Sequence, residues 1–244
     1  SPSRLGAVLR MSNPFAAETG SYNQVRPRYP QEAVEAAAAA PLRPLTAAAD
    51  IGAGTGIFSR QLASAHPGVT IYSVEPAAQM RAGGDAQNWV NGTSENTTLP
   101  PASVDLMVWA QSFHWVDPRA SGVEAARVLR PGGAAVVLFN QLDVSVPWVH
   151  RLTRIMRSGD VHRPDRPPRL DGFTPQPVQQ FRWEQRMTPD LVMELARTRS
   201  SYLRANPPTQ QRMQQNLRWY LHEHLQVGQE MTLPYFTYLW TLRV

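Results

Sequence analysis

The 244-residue chain contains neither cysteine nor lysine. Without cysteine there is no disulfide, no Cys-ligated zinc, no iron–sulfur cluster and no thiol nucleophile, a composition that fits a reducing compartment. Without lysine, a Schiff-base lysine and the phosphate-binding lysine of a P-loop are excluded. No apolar run approaches the ~18 residues that a membrane-spanning helix requires. Residues 1–10 hold no initiator Met, no apolar signal core and no arginine-rich amphipathic pattern, so they read as an added segment or a disordered leader, and a cytoplasmic location is expected. What is present suffices for one sizeable core carrying a smaller cap: 42% of residues are hydrophobic, 9% aromatic and 18% charged, which excludes wholesale disorder. The formal charge of +5 rests on arginine alone. Such basicity is either a solvated surface reflecting a GC-rich genome or a set of planar forks serving an anionic substrate or nucleic acid.

Short continuous apolar runs at Ala47 to Ile51, Val69 to Val74, Trp89 to Val90, Val104 to Trp109 and Ala134 to Phe139 have the pattern of strands covered on both faces. Helix-compatible segments lie between them, from Phe58 to Ala65, Ala77 to Ala82 and Arg119 to Leu129, after an Ala-rich helix from Glu32 to Ala40. This alternation predicts an α/β fold, a Rossmann-like doubly wound and mainly parallel sheet. The rhythm breaks after Phe139. An alternating strand at Phe181 to Met187, a helix opened by Thr188-Pro189-Asp190, another from Gln210 to Leu225 and a last strand at Met231 to Leu242 are expected. The expected organisation is a leader and N-terminal arm over 1–29, a Rossmann-like domain over 30–144 and 229–244, and an inserted, mostly helical cap over 145–228.

The run Asp50-Ile51-Gly52-Ala53-Gly54-Thr55-Gly56 stands where the first strand turns into a helix, and its glycines let backbone approach a ligand more closely than a Cβ would permit. The spacing is GxGxG with Ile57 following, whereas a dinucleotide fingerprint wants GxGxxG, so a nicotinamide dehydrogenase is disfavoured. Glu75, 19 residues beyond Gly56 at the end of the second strand, is placed to accept both hydrogen bonds of a ribose diol. Together they form an adenosine site.

With these residues the chain resembles the class I S-adenosylmethionine-dependent methyltransferases of the methyltransferase domain 11 type, over nearly its whole length. Asp50 to Gly56 is similar to that family's first motif, Val104 to Val108 to its fourth strand, and Val128-Leu129-Arg130-Pro131-Gly132-Gly133 to the turn before its fifth. The resemblance implies S-adenosylmethionine as cofactor, with Asp50, Gly52, Ala53, Gly54 and Gly56 behind its methionyl part and Glu75 on its ribose. It also implies Pro76 and Met80 at the cofactor, Ser94 and Glu95 flanking the adenine, and Ala110 and Gln111 bordering the methionine arm, with Arg26 of the N-terminal arm pairing with a carboxylate of cofactor or acceptor. The chain departs from the pattern at Gly92-Thr93-Ser94, where many members carry an acidic residue for the adenine amine. Phe15 with Tyr22, Arg26-Pro27-Arg28-Tyr29-Pro30, Ser112-Phe113-His114-Trp115-Val116-Asp117 and Leu233-Pro234-Tyr235 resemble the branch that includes trans-aconitate methyltransferase.

An acceptor carboxylate is already an anion and needs no base, whereas a phenol, hydroxyl or ammonium must shed a proton. His114, just past the fourth strand, is the histidine placed for that role, or else a ring packed at the cap. Tyr22 in the N-terminal arm is a second candidate near the methyl donor. His114, Trp115, Trp148, Tyr202 and Tyr22 are the expected acceptor contacts, with Ser200 and Ser201 as further cap residues. Arg151, Arg154, Arg157, Arg163, Arg166 and Arg169 crowd one stretch with only Asp160 and Asp165 to offset them. They form a solvated face, or one or two of them bind an anionic acceptor. His222 and His224, two apart, fall on different faces of a helix and no third ligand is spaced to join them, so no metal is expected. The expected partner is a small-molecule acceptor O-methylated on a carboxylate or similar anion, with C-, N- or phenol O-methylation, His114 acting as base, as the alternative. Nucleic acid is disfavoured because no Asn/Asp-Pro-Pro-aromatic motif follows the fourth strand. The chain is expected to be a monomer or homodimer that needs no membrane.

Overall fold

The structure, a computed structural model, describes residues 25–157 and 164–244. Strands β1 (Ala47–Ile51), β2 (Thr70–Val74), β3 (Asn88–Val90), β4 (Val104–Ala110) and β5 (Leu129–Leu142) alternate with helices α2 (Ile57–Ala65), α3 (Ala78–Gly83) and α4 (Pro118–Val128), preceded by α1 (Gln31–Ala38). Further along come α5 (Pro147–Ile155), β6 (Thr174–Pro175), β7 (Gln179–Met187), α6 (Pro189–Thr198), α7 (Ser200–Leu203), α8 (Pro207–Trp219) and β8 (Met231–Arg243). The strand order is β3-β2-β1-β4-β5-β8-β6, with β7 paired to β8. β3, β2, β1, β4 and β5 run parallel, and β6 is antiparallel to β8. The fold is the expected α/β, Rossmann-like sheet.

By compactness the chain divides into two units. The first, here the sheet unit, comprises 28–140, 164–181 and 237–244; the second, the helical unit, comprises 25–27, 141–157 and 182–236. This division differs from the expected insertion over 145–228. Residues 164–181 belong with the sheet unit, and the boundaries fall inside β5, β7 and β8. Long strands that serve both units carry no composition shift at the boundary, so the sequence gives no signal there.

In the sheet unit, alternate residues of β4 and β5 (Leu106, Val108; Ala134, Val136, Leu138) share one buried cluster with Val34 and Ala37 of α1 and Phe58 and Leu62 of α2. The period of two along the strands meets helices whose apolar stripes cover that face. Tyr29 closes the cluster edge-on to Phe58, ring centroids 5.8 Å apart. In the helical unit, Val149, Leu152 and Met156 turn inward from α5 to join Val192, Leu195, Leu217 and Tyr220, while Arg151, Arg154 and Arg157 stay exposed. Helix starts follow capping chemistry. Asp117 accepts from the Arg119 and Ala120 amides, Thr188 from Leu191 and Asn206 from Thr209, each with Pro in the first turn. The expected helix over 210–225 begins at Pro207, and its last turn, Tyr220–His224, winds as a π-helix.

Candidate active site

β1 and β4 are neighbours, although β2 follows β1 in the chain, so the order reverses between them. The carboxyl end at such a reversal is where open α/β sheets bind ligands. The glycine loop leaves β1 at this end. Gly52, Gly54 and Gly56 take φ of 67°, 59° and 87°, in the left-handed region that residues with a Cβ rarely enter. The loop is held down because the Val74 carbonyl accepts from the Gly52 and Ala53 amides, at 2.9 and 3.0 Å. A Cβ on Gly52 would stand 2.8 Å from that of Ser112, whose hydroxyl donates to the Ile51 carbonyl at 2.6 Å. A Cβ on Gly54 would meet only the terminal methyl of Met80, at 3.6 Å.

Glu75 is buried at the end of β2, and both its oxygens are fixed: Oε1 accepts from the Gly54 amide at 2.8 Å and Oε2 from the Ala77 amide at 2.9 Å. Each oxygen retains a lone pair for a further donor. Asp50, by contrast, is engaged within the framework. Its Oδ2 accepts from the amide and hydroxyl of Ser59 in α2, and the Ser59 hydroxyl bonds that of Ser73. Burial pushes the Asp50 carboxyl up to about 6, the Ser59 bonds oppose the rise, and the nearby Glu75 charge adds to it. Asp50 thus anchors β1 to α2.

Ser94 and Glu95 are likewise occupied. The buried Ser94 hydroxyl bonds that of Ser121 and accepts from the Trp109 indole at 2.9 Å, while Glu95 accepts from the Asp117 amide at the start of α4. Pro76 is exposed and Met80 is buried. After β4, Gln111 takes φ of 58°, and its amide oxygen accepts from the Asn140 amide at 2.7 Å. Asn140 in turn donates to the Arg28 carbonyl and accepts from Thr237, a buried junction that fixes the ends of β4 and β5. Ala110 is half-buried. His114 and Trp115 lie on a single 3₁₀ turn, Phe113–Trp115; His114 is exposed, its ring centroid 4.8 Å from that of Trp115 and 6.1 Å from that of Phe139. Trp115 is 72% exposed, unusual for the largest apolar side chain.

The remaining expected contacts belong to the helical unit or lie elsewhere. Tyr22 and Arg163 lie outside the described residues. Arg26 is half-buried beside Val25. Trp148 packs against the helical unit's core, and its carbonyl accepts from the Tyr220 hydroxyl at 2.7 Å. Tyr202 sits on the short α7, and Ser201 donates to the Met156 carbonyl. Of the arginine run, Arg166 and Arg169 are exposed in the sheet unit, Arg169 pairing with Asp171 at 2.8 Å. Arg151, Arg154 and Arg157 line a cleft of about 800 Å³ with His150, Arg212, Asn216 and the apolar Ile155 and Met213. Among the described residues no acidic one lines it. Arg151 also lies over the rings of Trp219 and Tyr220, at 5.5 and 5.1 Å. Among the described residues no group of three or more His, Asp or Glu side chains could hold a metal, and no helix is long and apolar enough to cross a membrane.

Sequence reasoning passed over Asn140, Gln185 and Arg199, and noticed Ser112 and Tyr235 only within Ser112-Phe113-His114-Trp115-Val116-Asp117 and Leu233-Pro234-Tyr235. An available signal was Gln185 itself, a polar residue at an inward position of the alternating strand β7.

A sheet reversing at β1/β4, a left-handed glycine loop and a fixed carboxylate at the end of β2 define an adenosine-cofactor fold of the methyltransferase type. A methyltransferase domain model matches residues 49–137. An uncharacterised methyltransferase of Mycobacterium tuberculosis is 33% identical over 93% of this chain and 94% of its own. The chain belongs to the methyltransferase family and is an S-adenosylmethionine-dependent enzyme. A malonyl-[acyl-carrier protein] O-methyltransferase of Methylococcus capsulatus is 37% identical over a shorter stretch, 34% of each chain. In fold, the chain is similar to a type II methyltransferase structure from Anaeromyxobacter dehalogenans, with a TM-score of 0.64 and 21% identity over 89% of this chain and 97% of that one.

Proposed function

We propose that the enzyme methylates a carboxylate, or a similar oxyanion, of a small-molecule acceptor by direct in-line transfer. S-adenosylmethionine, when bound, supplies an electrophilic methyl on its sulfonium. The residues present fit this cofactor: Gly54 leaves bare the space a Cβ would fill, and Glu75 holds two oriented oxygens with unused lone pairs. Gly52, Ala53, Gly54 and Gly56 would back the methionyl part, Glu75 the ribose diol, Pro76 and Met80 the adenosine side, and Ala110 and Gln111 the methionine arm. Ser94 would border the adenine through backbone and apolar atoms, since its hydroxyl is bonded elsewhere, while Glu95 spends Oε1 on the Asp117 amide and keeps Oε2. The acceptor's work is then positioning. A nucleophile held ~3 Å from the methyl carbon with water excluded gains most of its rate from orientation.

The observation that carries the acceptor class is the cleft of the helical unit, where four guanidiniums and an imidazole converge with no acidic lining residue among those described. Such a concentration of one charge sign raises the local population of anions. The name of the Methylococcus relative adds support for oxygen as the methylated atom. The deciding experiment is transfer of labelled methyl from S-adenosylmethionine to aconitate isomers, other polycarboxylates, phenols and amines, followed by alkali. An alkali-labile product from a polycarboxylate is expected. An alkali-stable product from phenols or amines alone would overturn the carboxylate reading. It would favour the second reading, in which His114, exposed on the turn directly after β4, takes the acceptor's proton. On that reading His114→Ala abolishes turnover and leaves cofactor affinity intact.

A further inference from the structure

Within the helical unit, α5 and α8 line their shared cleft with one sign of charge. His150, Arg151, Arg154 and Arg157 follow a spacing that keeps them on one side of α5 and its end, and Arg212 and Asn216, four apart, line the cleft from α8. Four guanidiniums around one space of about 800 Å³ repel one another, and among the described residues no carboxylate lines that space to offset them. Helix electrostatics accounts for part of the set, because Arg154 lies in the last turn of α5, where a cation meets the carbonyl ends. It does not account for Arg212, in the second turn of α8, where the dipole gives a cation no help. Arg157 is held under strain. It ends α5 with φ of 53°, the left-handed position that glycine fills freely and a side chain rarely enters. Arg151 is oriented in advance, its guanidinium lying over the Trp219 and Tyr220 rings and its Nη1 donating to His224 Nε2 at 3.3 Å.

Such a lining selects an anion, and the number and kind of its donors choose among anions. We infer that the cleft is a binding site for the phosphate group of a small molecule, a monoester or a diphosphate. A carboxylate presents two oxygens in one plane, and a single guanidinium fork suffices for it. A phosphate presents three strong acceptor oxygens in tetrahedral directions and about 1.5 to 2 negative charges at pH 7, so it can meet forks that arrive from both helices at once. The apolar Pro147, Ile155 and Met213 in the same lining suit the carbon body of the ester. The inference rests on the anionic-acceptor reading above and deepens it: the acceptor is held by a phosphate in the cleft, apart from the oxygen that is methylated.

The test is calorimetric binding of inorganic pyrophosphate, of tricarballylate, a tricarboxylate of similar charge, of a short RNA oligonucleotide and of S-adenosylhomocysteine to the full chain. Wild type is compared with Arg157→Gly, with the pair Arg154→Lys and Arg212→Lys, and with the triple Arg154→Gln, Arg157→Gly and Arg212→Gln. Wild type is expected to bind pyrophosphate about tenfold more tightly than tricarballylate, a preference that charge alone would not give. The two lysines keep the charge and remove the forks, so they should erase that preference. Arg157→Gly relieves the left-handed backbone, so its Tm should hold or rise while pyrophosphate affinity falls about threefold. That variant keeps the test valid if the others fail to fold. The triple variant should lose about thirtyfold, with S-adenosylhomocysteine affinity unchanged. Equal affinity for the two anions in wild type, or a preference that survives the lysines, overturns the site and leaves a mere field of charge. Parallel loss of S-adenosylhomocysteine affinity also overturns it and assigns the cleft to the cofactor. RNA that binds far more tightly than pyrophosphate and competes with it overturns the small-molecule assignment. Pyrophosphate binding as expected with no methyl ester formed would sink the O-methylation reading and leave the phosphate site standing. Methyl transfer to polycarboxylates without pyrophosphate binding would do the reverse.

Discussion

The sheet unit and the helical unit both bury polar groups, and both leave a few open: the Ser103 hydroxyl and one Arg243 nitrogen in the sheet unit are buried without a hydrogen-bond partner. In the sheet unit Asp50, Asp105, Glu124 and Asn140 are buried, and each closes its hydrogen bonds on neighbouring protein groups. In the helical unit Asp143 closes likewise on Ser145 and Arg182, but the Tyr235 hydroxyl, the Gln185 oxygen and both amide atoms of Gln214 are buried without partners. A closed polar group is architecture, and its loss appears as instability. An open one gives up its hydration with nothing in return, so its loss leaves stability intact or higher. The contrast separates groups that the fold itself has closed from groups that it leaves open.

The largest effect should come from breaking a closed network. Asp105 is fully buried in β4 and accepts from the Thr46 and Ala47 amides and from the Thr46 hydroxyl, at 2.8–3.0 Å, with Arg130 and Arg43 paired to it. Burial alone would raise its carboxyl, but these donors outweigh burial and hold it below the ordinary range. Asp105→Ala should cost about 3–5 kcal/mol in urea unfolding, because the buried Ala47 amide, the Thr46 amide and two guanidiniums lose their acceptor together. Its charge contributes stability above the ordinary carboxylate pKa that is lost as pH falls through its depressed value. Asp50 has the opposite sign. Raised to about 6, it favours the folded state at low pH, and that contribution disappears as pH climbs from about 4 through about 6. Asp50→Asn should remove a pH-dependent loss of about 3 kcal/mol across that window. A thermal-denaturation series at pH 4 to 8 that leaves the variant parallel to wild type would refute the assignment.

Against these, removing an open group should cost nothing. Tyr235→Phe keeps the ring on Trp183 and removes a buried hydroxyl that has no hydrogen-bond partner, so it should raise stability by about 1 kcal/mol in urea unfolding. A variant that loses stability would return Tyr235 to the closed class and erase the contrast.

The cofactor end was legible because its physics is local in sequence. A glycine loop must follow a strand directly, and Glu75 must end the next one, so spacing alone places both. What spacing cannot show is which way a polar side chain turns. Asp50 sits inside the motif yet accepts from Ser59, whose hydroxyl bonds that of Ser73, and Ser94 bonds to Ser121 and Trp109. Those partners become visible only once β1 lies beside β2 and α4 is packed. The basic cleft was legible by half. Arg151, Arg154 and Arg157 stand together in the arginine run, but Arg212 meets them from α8, and no periodicity or motif joins the two helices. The assignment of 164–181 to the sheet unit was hidden similarly, since the two-residue strand β6 pairs with β8, Thr174 opposite Arg243, far along the chain.

The smallest effect should come from the most basic-looking stretch. The arginines of the cleft are exposed, and exposed charges are screened beyond about 8 Å at physiological ionic strength. Removing one leaves three guanidiniums and His150 facing the same cleft. Arg154→Gln should therefore change the KM for an anionic acceptor less than about threefold, in keeping with a solvent-exposed ion pair worth about 0–1 kcal/mol. Collective attraction is where the cleft should act. Raising salt to about 0.5 M should lower kcat/KM several-fold in wild type, and a combined Arg151→Gln, Arg154→Gln, Arg212→Gln variant should flatten that dependence. Tyr235→Phe, which removes no charge, should leave the salt slope unchanged. If Arg154→Gln alone costs tenfold with S-adenosylhomocysteine binding intact, the load is not shared: that guanidinium then makes a desolvated contact that its neighbours cannot replace.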